Sequence, residues 1–71
     1  MRYRRILAEN LTRLREERGM SRKQLVDRAG VSLDWIGMIE RGHVNPTLDV
    51  IVEIAIALKV PPAQLITPID D

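Results

Sequence analysis

The fold is decided by residues 21–42, which read SRKQLVDRAGVSLDWIGMIERG. Apolar residues recur at three- and four-residue spacing on both sides of Gly30, a pattern that predicts two short amphipathic helices. Ser21 is a favourable N-cap, and Gln24 stands three residues later, as in a capping box. Ser32 caps the second segment and Gly42 stops it. The stretch therefore predicts one helix at about residues 22–29 and a second at about 33–41.

The connection between these two helices is only three residues long and is centred on Gly30-Val31. Such a tight corner needs a residue that accepts a positive φ, and glycine does so without steric cost. Ala29 provides the small side chain that lets two helices cross closely. The spacing is that of a helix-turn-helix at about residues 22–41.

The flanking sequence also has helical periodicity, and no segment alternates with a period of two for long enough to be a strand. Further helices are predicted at about Arg4–Arg18, at about Leu48–Lys59 after an N-cap at Thr47, and from Pro62 to Leu65 or Ile66. The core face of the fourth helix is predicted to consist of Leu48, Ile51, Ile54, Ala55 and Leu58. We therefore expect one all-α domain over residues 1–71, with a core at about 4–66 and a frayed tail at 67–71.

Composition excludes several classes of function. The chain has 71 residues, no Cys and one His, so it offers no disulfide, no thiolate ligand and no catalytic cysteine. His43 cannot hold a metal alone and has no identifiable acid–base partner, so we expect neither an enzyme nor a bound cofactor. The longest apolar stretches, such as residues 54–58, are too short to span a bilayer, and no signal-peptide core follows the basic N-terminus. These features favour a soluble, cytoplasmic protein without membrane contact.

The net charge of +1 hides an asymmetry between the two parts of the chain. Residues 1–45 carry ten Lys or Arg against six acids, and residues 46–71 carry one Lys against four acids. A basic N-terminal part and an acidic C-terminal part suit a protein that presents one face to a polyanion. A solvated surface of mixed charge is the other interpretation of the same pattern.

Residues 21–42 resemble the helix-turn-helix of the Xre/Cro family of lambdoid phage repressors. The similarity extends back to LREERGM at residues 14–20 and forward through Pro46-Thr-Leu48 to IAIALKV at residues 54–60. It covers about residues 6–66, and so many spaced matches argue against chance. The resemblance implies a five-helix lambda-repressor-like domain whose third helix lies in the major groove of double-stranded DNA. It also implies an ion pair between Arg15 and Glu40 that ties helix 1 to helix 3.

Phosphate contacts are implied by the same correspondence, and they supply most of the affinity in such complexes. Arg22 stands where the family usually has a glutamine that binds the DNA backbone. The candidate phosphate contacts are Arg22, Lys23 and Gln24 at the start of helix 2, and Arg41, His43 and Asn45 after helix 3. We interpret Arg2, Arg4 and Arg5 as residues that solvate helix 1 rather than as a DNA-binding arm.

Base readout is expected from the start of helix 3, where this sequence departs from the family pattern of Gln, Asn, Arg or Ser. The candidates are Ser32, Leu33, Asp34, Trp35 and Met38. Asp34 can accept from cytosine N4, while Leu33 and Met38 offer only apolar contact to a thymine methyl. Trp35 is either a DNA-facing or a half-buried core residue. Few polar readers predict modest direct specificity, with more left to DNA shape. The apolar patch of Leu33, Trp35 and Met38 also suits a protein partner.

Apolar residues on a second face of helix 4 and near the C-terminus predict a two-fold dimer. The residues assigned to that interface are Val52, Ile56, Ile66 and Ile69. Two recognition helices would then read a pseudo-palindromic site. The expected function is transcriptional regulation by a dimeric repressor or autoregulator of the phage-repressor, controller or antitoxin type, associated with the nucleoid when bound. The alternative is a protein-interaction module of this fold that has lost DNA binding.

Overall fold

The structure is a computed structural model that describes residues 2–69. Within that range it is all-α, as the sequence predicts, with five helices. They are α1 (Arg2–Glu17), α2 (Arg22–Ala29), α3 (Leu33–Glu40), α4 (Leu48–Leu58) and α5 (Ala63–Ile66). Among these residues no helix is both long enough and apolar enough to cross a membrane.

Side-chain caps fix where the three central helices begin. The Ser21 hydroxyl accepts from the Gln24 amide at 3.0 Å, and the Gln24 side chain accepts from the Ser21 amide at 2.8 Å, which completes a capping box. The hydroxyls of Ser32 and Thr47 cap α3 and α4 in the same way. Gly30, with φ of 70°, ends α2 in the left-handed conformation. Local sequence signals therefore determine the corner between α2 and α3.

The helix ends differ from the predicted ends by one or two residues. α1 begins at Arg2 rather than Arg4, because Arg2 and Tyr3 also have helical backbone. Arg41 is the C-cap of α3 rather than its last residue. Lys59 ends α4 with φ of 59°, a left-handed position that usually holds glycine.

The core lies where all five helices meet. Its fully buried side chains are Leu11, Leu25, Ile36, Ile39, Ile54, Leu58 and Leu65. The prediction that Leu48 belongs to the core face of α4 is wrong, since its side chain is 72% exposed. Leu48 is the first residue of the helix, and Val50 and Ile51 of that turn pack against the core instead.

A buried amide closes the bundle between its first and last helices. Asn10 is fully buried in α1 and donates to the carbonyl oxygens of Leu65 at 2.9 Å and Thr67 at 2.8 Å. Thr67 also donates its hydroxyl to Ala63. These bonds join Thr67, the first residue of the tail that is predicted to fray, to α1 and α5. Residues 70 and 71 of that tail lie outside the described residues.

Candidate functional site

The C-terminal end of α3 is fixed by a buried carboxylate. Glu40 has a side chain that is only 2% exposed, and both of its oxygens accept hydrogen bonds. Oε2 accepts from Arg15 Nε at 2.7 Å, and Oε1 accepts from Arg22 Nε at 2.8 Å. Arg15 also donates to the carbonyl of Met20 at 2.8 Å. One side chain thus joins α3 to α1, to α2 and to the turn between them.

Arg22 has a partner that the sequence analysis missed. We predicted it as a phosphate contact, and the structure bonds its Nε to Glu40, 18 residues away. The side chain is 49% exposed, and its two terminal nitrogens make no bond to the described residues. The guanidinium is therefore held at one nitrogen and open at the other two. No sequence spacing reports this contact, because it depends on how α2 and α3 fold back on α1.

The other two candidates at the start of α2 differ from each other. The Lys23 side chain is exposed to solvent. The side-chain carbonyl of Gln24 accepts from the backbone of Ser21, so this end of the residue serves the capping box. Gln24 therefore has a structural role at this position, and Lys23 is the more available of the two for an anion.

Beyond α3 the chain places Arg41, His43 and Asn45 on exposed positions. The Asn45 side-chain oxygen accepts from Arg4 Nε at 3.0 Å. The Arg41 guanidinium folds back along α3, so that Nη1 lies 3.3 Å from where a Cβ on Gly37 would stand. The absence of a side chain at Gly37 makes room for Arg41 on this flank of the helix.

The N-terminal half of α3 carries the exposed reading face. Leu33 is 51% exposed and Asp34 is also exposed, while Met38 is half-buried. The Ser32 hydroxyl oxygen accepts from the Trp35 amide at 3.1 Å, so it is engaged as a cap. Trp35 is half-buried and packs against the core, which answers in part the question of whether it belongs to core or surface. Leu33 and Asp34 are thus the two predicted readers that are exposed and not engaged in the cap.

A separate apolar surface lies on α4. Leu48, Val52 and Ile56 follow one another at four-residue spacing, and we call them the apolar face of α4. Leu48 is 72% exposed, Ile56 is 66% exposed and Val52 is half-buried. The other two residues predicted for a dimer interface, Ile66 and Ile69, are 45% and 49% exposed. This much exposed aliphatic surface on a small chain is typical of an interaction site.

A groove with a volume of about 840 Å³ runs between α1 and the end of α3. Its walls carry Arg5, Arg13 and Arg41 together with Glu9, Glu16 and Glu17. Charges of both signs leave it without a clear preference for an anion or a cation.

Known proteins are similar to this chain in sequence and in fold. A family model described as a helix-turn-helix domain matches residues 6–65. A protein of Sinorhizobium fredii named as an uncharacterized HTH-type transcriptional regulator, y4dJ, is 37% identical over 71 residues, which is 100% of this chain and 92% of that protein. The control protein C.SmaI of Serratia marcescens is 36% identical over 62 residues, covering 87% of this chain and 74% of that one.

The comparison of structures gives the same result. The crystal structure of the restriction-modification controller protein C.AhdI from Aeromonas hydrophila superposes with a TM-score of 0.87 at 29% identity. The match covers 92% of this chain and 98% of that chain. The fold of this chain is therefore similar to that of a protein named as a restriction-modification controller protein.

Proposed function

The chain belongs to the helix-turn-helix domain family of DNA-binding transcriptional regulators, and we propose that it is a dimeric, controller-type repressor or autoregulator. The family consists of regulators rather than enzymes. The observation that carries the proposal is the way α3 is held. Its last residue, Glu40, is bonded to α1 and α2, while Leu33 and Asp34 in its first turn are exposed. A helix held in this way presents a defined surface to the major groove. Its place of action would be the cytoplasm, on the nucleoid.

Phosphate binding would come mainly from two groups of donors. Arg22 donates its Nε to Glu40 and has its terminal nitrogens free. Its guanidinium is therefore already oriented and can bind a phosphate with two hydrogen bonds. Lys23 would add charge beside it, and the backbone N–H groups of the first turn of α2 would point the same way. Arg41, His43 and Asn45 would bind the backbone beyond α3.

Base readout would rest on few side chains. Asp34 is the one charged reader, and it would accept from the exocyclic amine of cytosine. Leu33 and Met38 would contact thymine methyl groups. Ser32 and Trp35 are partly committed to the cap and the core, so their contribution would be smaller. We therefore expect a modest preference between sequences and a measurable effect of DNA shape on affinity.

Dimerisation would use the apolar face of α4 together with Ile66 and Ile69. A two-fold axis there would place two copies of α3 about 34 Å apart, one helical turn of DNA, so the site would be pseudo-palindromic. Burial of Leu48 and Ile56 would also stabilise a chain too short to build a large core. Both effects would make DNA binding depend on protein concentration.

The dimer is tested with Ile56→Glu. We expect a folded monomer by sedimentation equilibrium, because a carboxylate in an aliphatic contact is costly to bury. Glu53→Gln on the exposed surface of the same helix is the matched control and should leave the dimer intact. An unchanged dimer in Ile56→Glu would exclude this interface.

The function is tested by fluorescence anisotropy with DNA from upstream of the protein's own gene and a scrambled duplex of equal length, at two salt concentrations. Salt-sensitive binding that prefers the native sequence supports an autoregulator. Equal binding to both duplexes would reject sequence-specific recognition of this site. If a folded dimer binds neither, the apolar patch of Leu33, Trp35 and Met38 becomes the surface to test for a protein partner.

A further inference from the structure

The first turn of α1 lies against the loop between α3 and α4. Arg4 Nε donates to Asn45 Oδ1 at 3.0 Å, although 41 positions separate the two residues in the sequence. The carbonyl oxygen of Arg4 lies 3.8 Å from where a Cβ on Gly42 would stand, so the backbones also approach closely at this point. Arg4 in α1 thus lies against the loop that carries Arg41, His43 and Asn45 and is bonded to it.

The bond between Arg4 and Asn45 determines which atoms remain available. It uses the N–H of Arg4 Nε and one of the two lone pairs of Asn45 Oδ1, the acceptor atom of that side chain. The terminal nitrogens of the guanidinium and the amide nitrogen of Asn45 remain, and all of them are donors. No carboxylate among the described residues bonds to either side chain. The pair therefore presents more donors than acceptors and carries a positive charge, which suits a ligand that has several acceptor oxygens and a negative charge.

We propose that Arg4 and Asn45 form a phosphate-binding pair that extends the DNA contact surface from the α3–α4 loop onto α1. The proposal rests on the proposed function, since the phosphate is that of the DNA backbone. It replaces the interpretation of Arg4 as a residue that only solvates helix 1. In the pair, Asn45 positions Arg4 by holding its Nε, and both side chains contact the phosphate.

Arg22 uses the same arrangement with a different partner. Each arginine is held at Nε and has its terminal nitrogens free. Arg22 is held by a carboxylate that it shares with Arg15, whereas Arg4 is held by a neutral amide. Because Asn45 does not offset the charge of Arg4, we expect Arg4 to release counterion from DNA at least as fully as Arg22 does. Each phosphate neutralised contributes about 0.9 to the slope of log Kobs against log salt concentration.

The test is this slope, measured by anisotropy for the whole protein and for Arg4→Gln, Arg22→Gln and Arg28→Gln. Arg28 is exposed on the last turn of α2, so its substitution removes the same charge at a position away from the loop. We expect the magnitude of the slope to fall by about one in Arg4→Gln and to be nearly unchanged in Arg28→Gln. Far-ultraviolet circular dichroism checks that each variant is folded.

A double-mutant cycle with Asn45→Ala tests whether the two residues act as a pair. We expect Asn45→Ala to weaken binding about threefold more in the original protein than in Arg4→Gln, as for residues in direct contact. Additive effects would overturn the pairing. An unchanged slope in Arg4→Gln, with a lower slope in Arg22→Gln, would overturn the proposal for Arg4 and leave the proposed function standing. Salt-insensitive or absent binding by the original protein would overturn both.

Discussion

The two ends of α3 are built in different ways. At the C-terminal end Glu40 is buried and accepts from arginines of two other helices, and Asn45 just beyond it is bonded to α1. At the N-terminal end the side-chain hydrogen bond is local, from the Trp35 amide to the Ser32 hydroxyl, and Leu33 and Asp34 face solvent. An eight-residue helix is thus anchored at one end and open at the other.

Different residues therefore fix the orientation of α3 and determine which DNA sequence it would read. Substitution of an exposed residue usually changes the free energy of unfolding by less than about 0.5 kcal/mol, whereas disruption of a buried ionic network costs several times more. The reading positions can therefore change with little loss of stability. The anchoring positions cannot change without moving the helix.

The largest expected effect is at the anchored end. Glu40→Ala should lower the free energy of unfolding by about 3–5 kcal/mol, because Arg15 remains in a largely buried position without its carboxylate. Urea denaturation followed by circular dichroism measures the loss. Glu17→Ala is the control, since its pair with Arg13 is exposed and should contribute less than about 1 kcal/mol. Equal losses in the two variants would mean that Glu40 is not the anchor.

An intermediate effect is expected at the open end. Asp34→Ala should change the discrimination at one base pair by about 1–3 kcal/mol, because one acceptor for a base edge is removed. The free energy of unfolding should remain nearly the same. Selection of binding sites from a random duplex library measures the preference, with Asp27→Ala on α2 as the control. If the original protein and Asp34→Ala select the same sites, Asp34 does not read a base.

The smallest effect is expected between the two ends. Gly37→Ala should raise the free energy of unfolding by about 0.5–1 kcal/mol, because alanine loses less backbone entropy than glycine inside a helix. The added Cβ meets the flexible end of Arg41 at 3.3 Å, which must shift slightly. Thermal melting measures the change. Gly30→Ala, at a φ of 70°, should have the opposite sign. A loss of stability in Gly37→Ala would show that Arg41 cannot move away.

Local signals in the sequence predicted the boundaries of α2 well, because a cap and a glycine act within a few residues of themselves. Contacts between residues that are distant in the sequence could not be predicted in this way. The bonds from Arg22 to Glu40 and from Arg4 to Asn45 depend on how whole helices pack, so no spacing in the sequence reports them. The pairing of Arg15 with Glu40 was implied only by the family resemblance.

The error at Leu48 has a similar cause. Helical periodicity places a residue on a stripe, but it does not say where along the helix the neighbouring elements begin to cover that stripe. Leu48 lies on the apolar side of the pattern and still points to solvent from the first turn of α4. The same limit applies to the reading face of α3, where periodicity alone did not decide the environment of Trp35.

The buried amide of Asn10 has a consequence for the order in which the domain is made. Its acceptors are the carbonyls of Leu65 and Thr67, which the ribosome adds 55 and 57 residues later. While a nascent chain still lacks them, Asn10 cannot be buried without losing its hydrogen bonds, so α1 has to remain hydrated along that side. Although α1 precedes the other described helices in the chain, we therefore expect it to be among the last to finish packing, after Thr67 has been added.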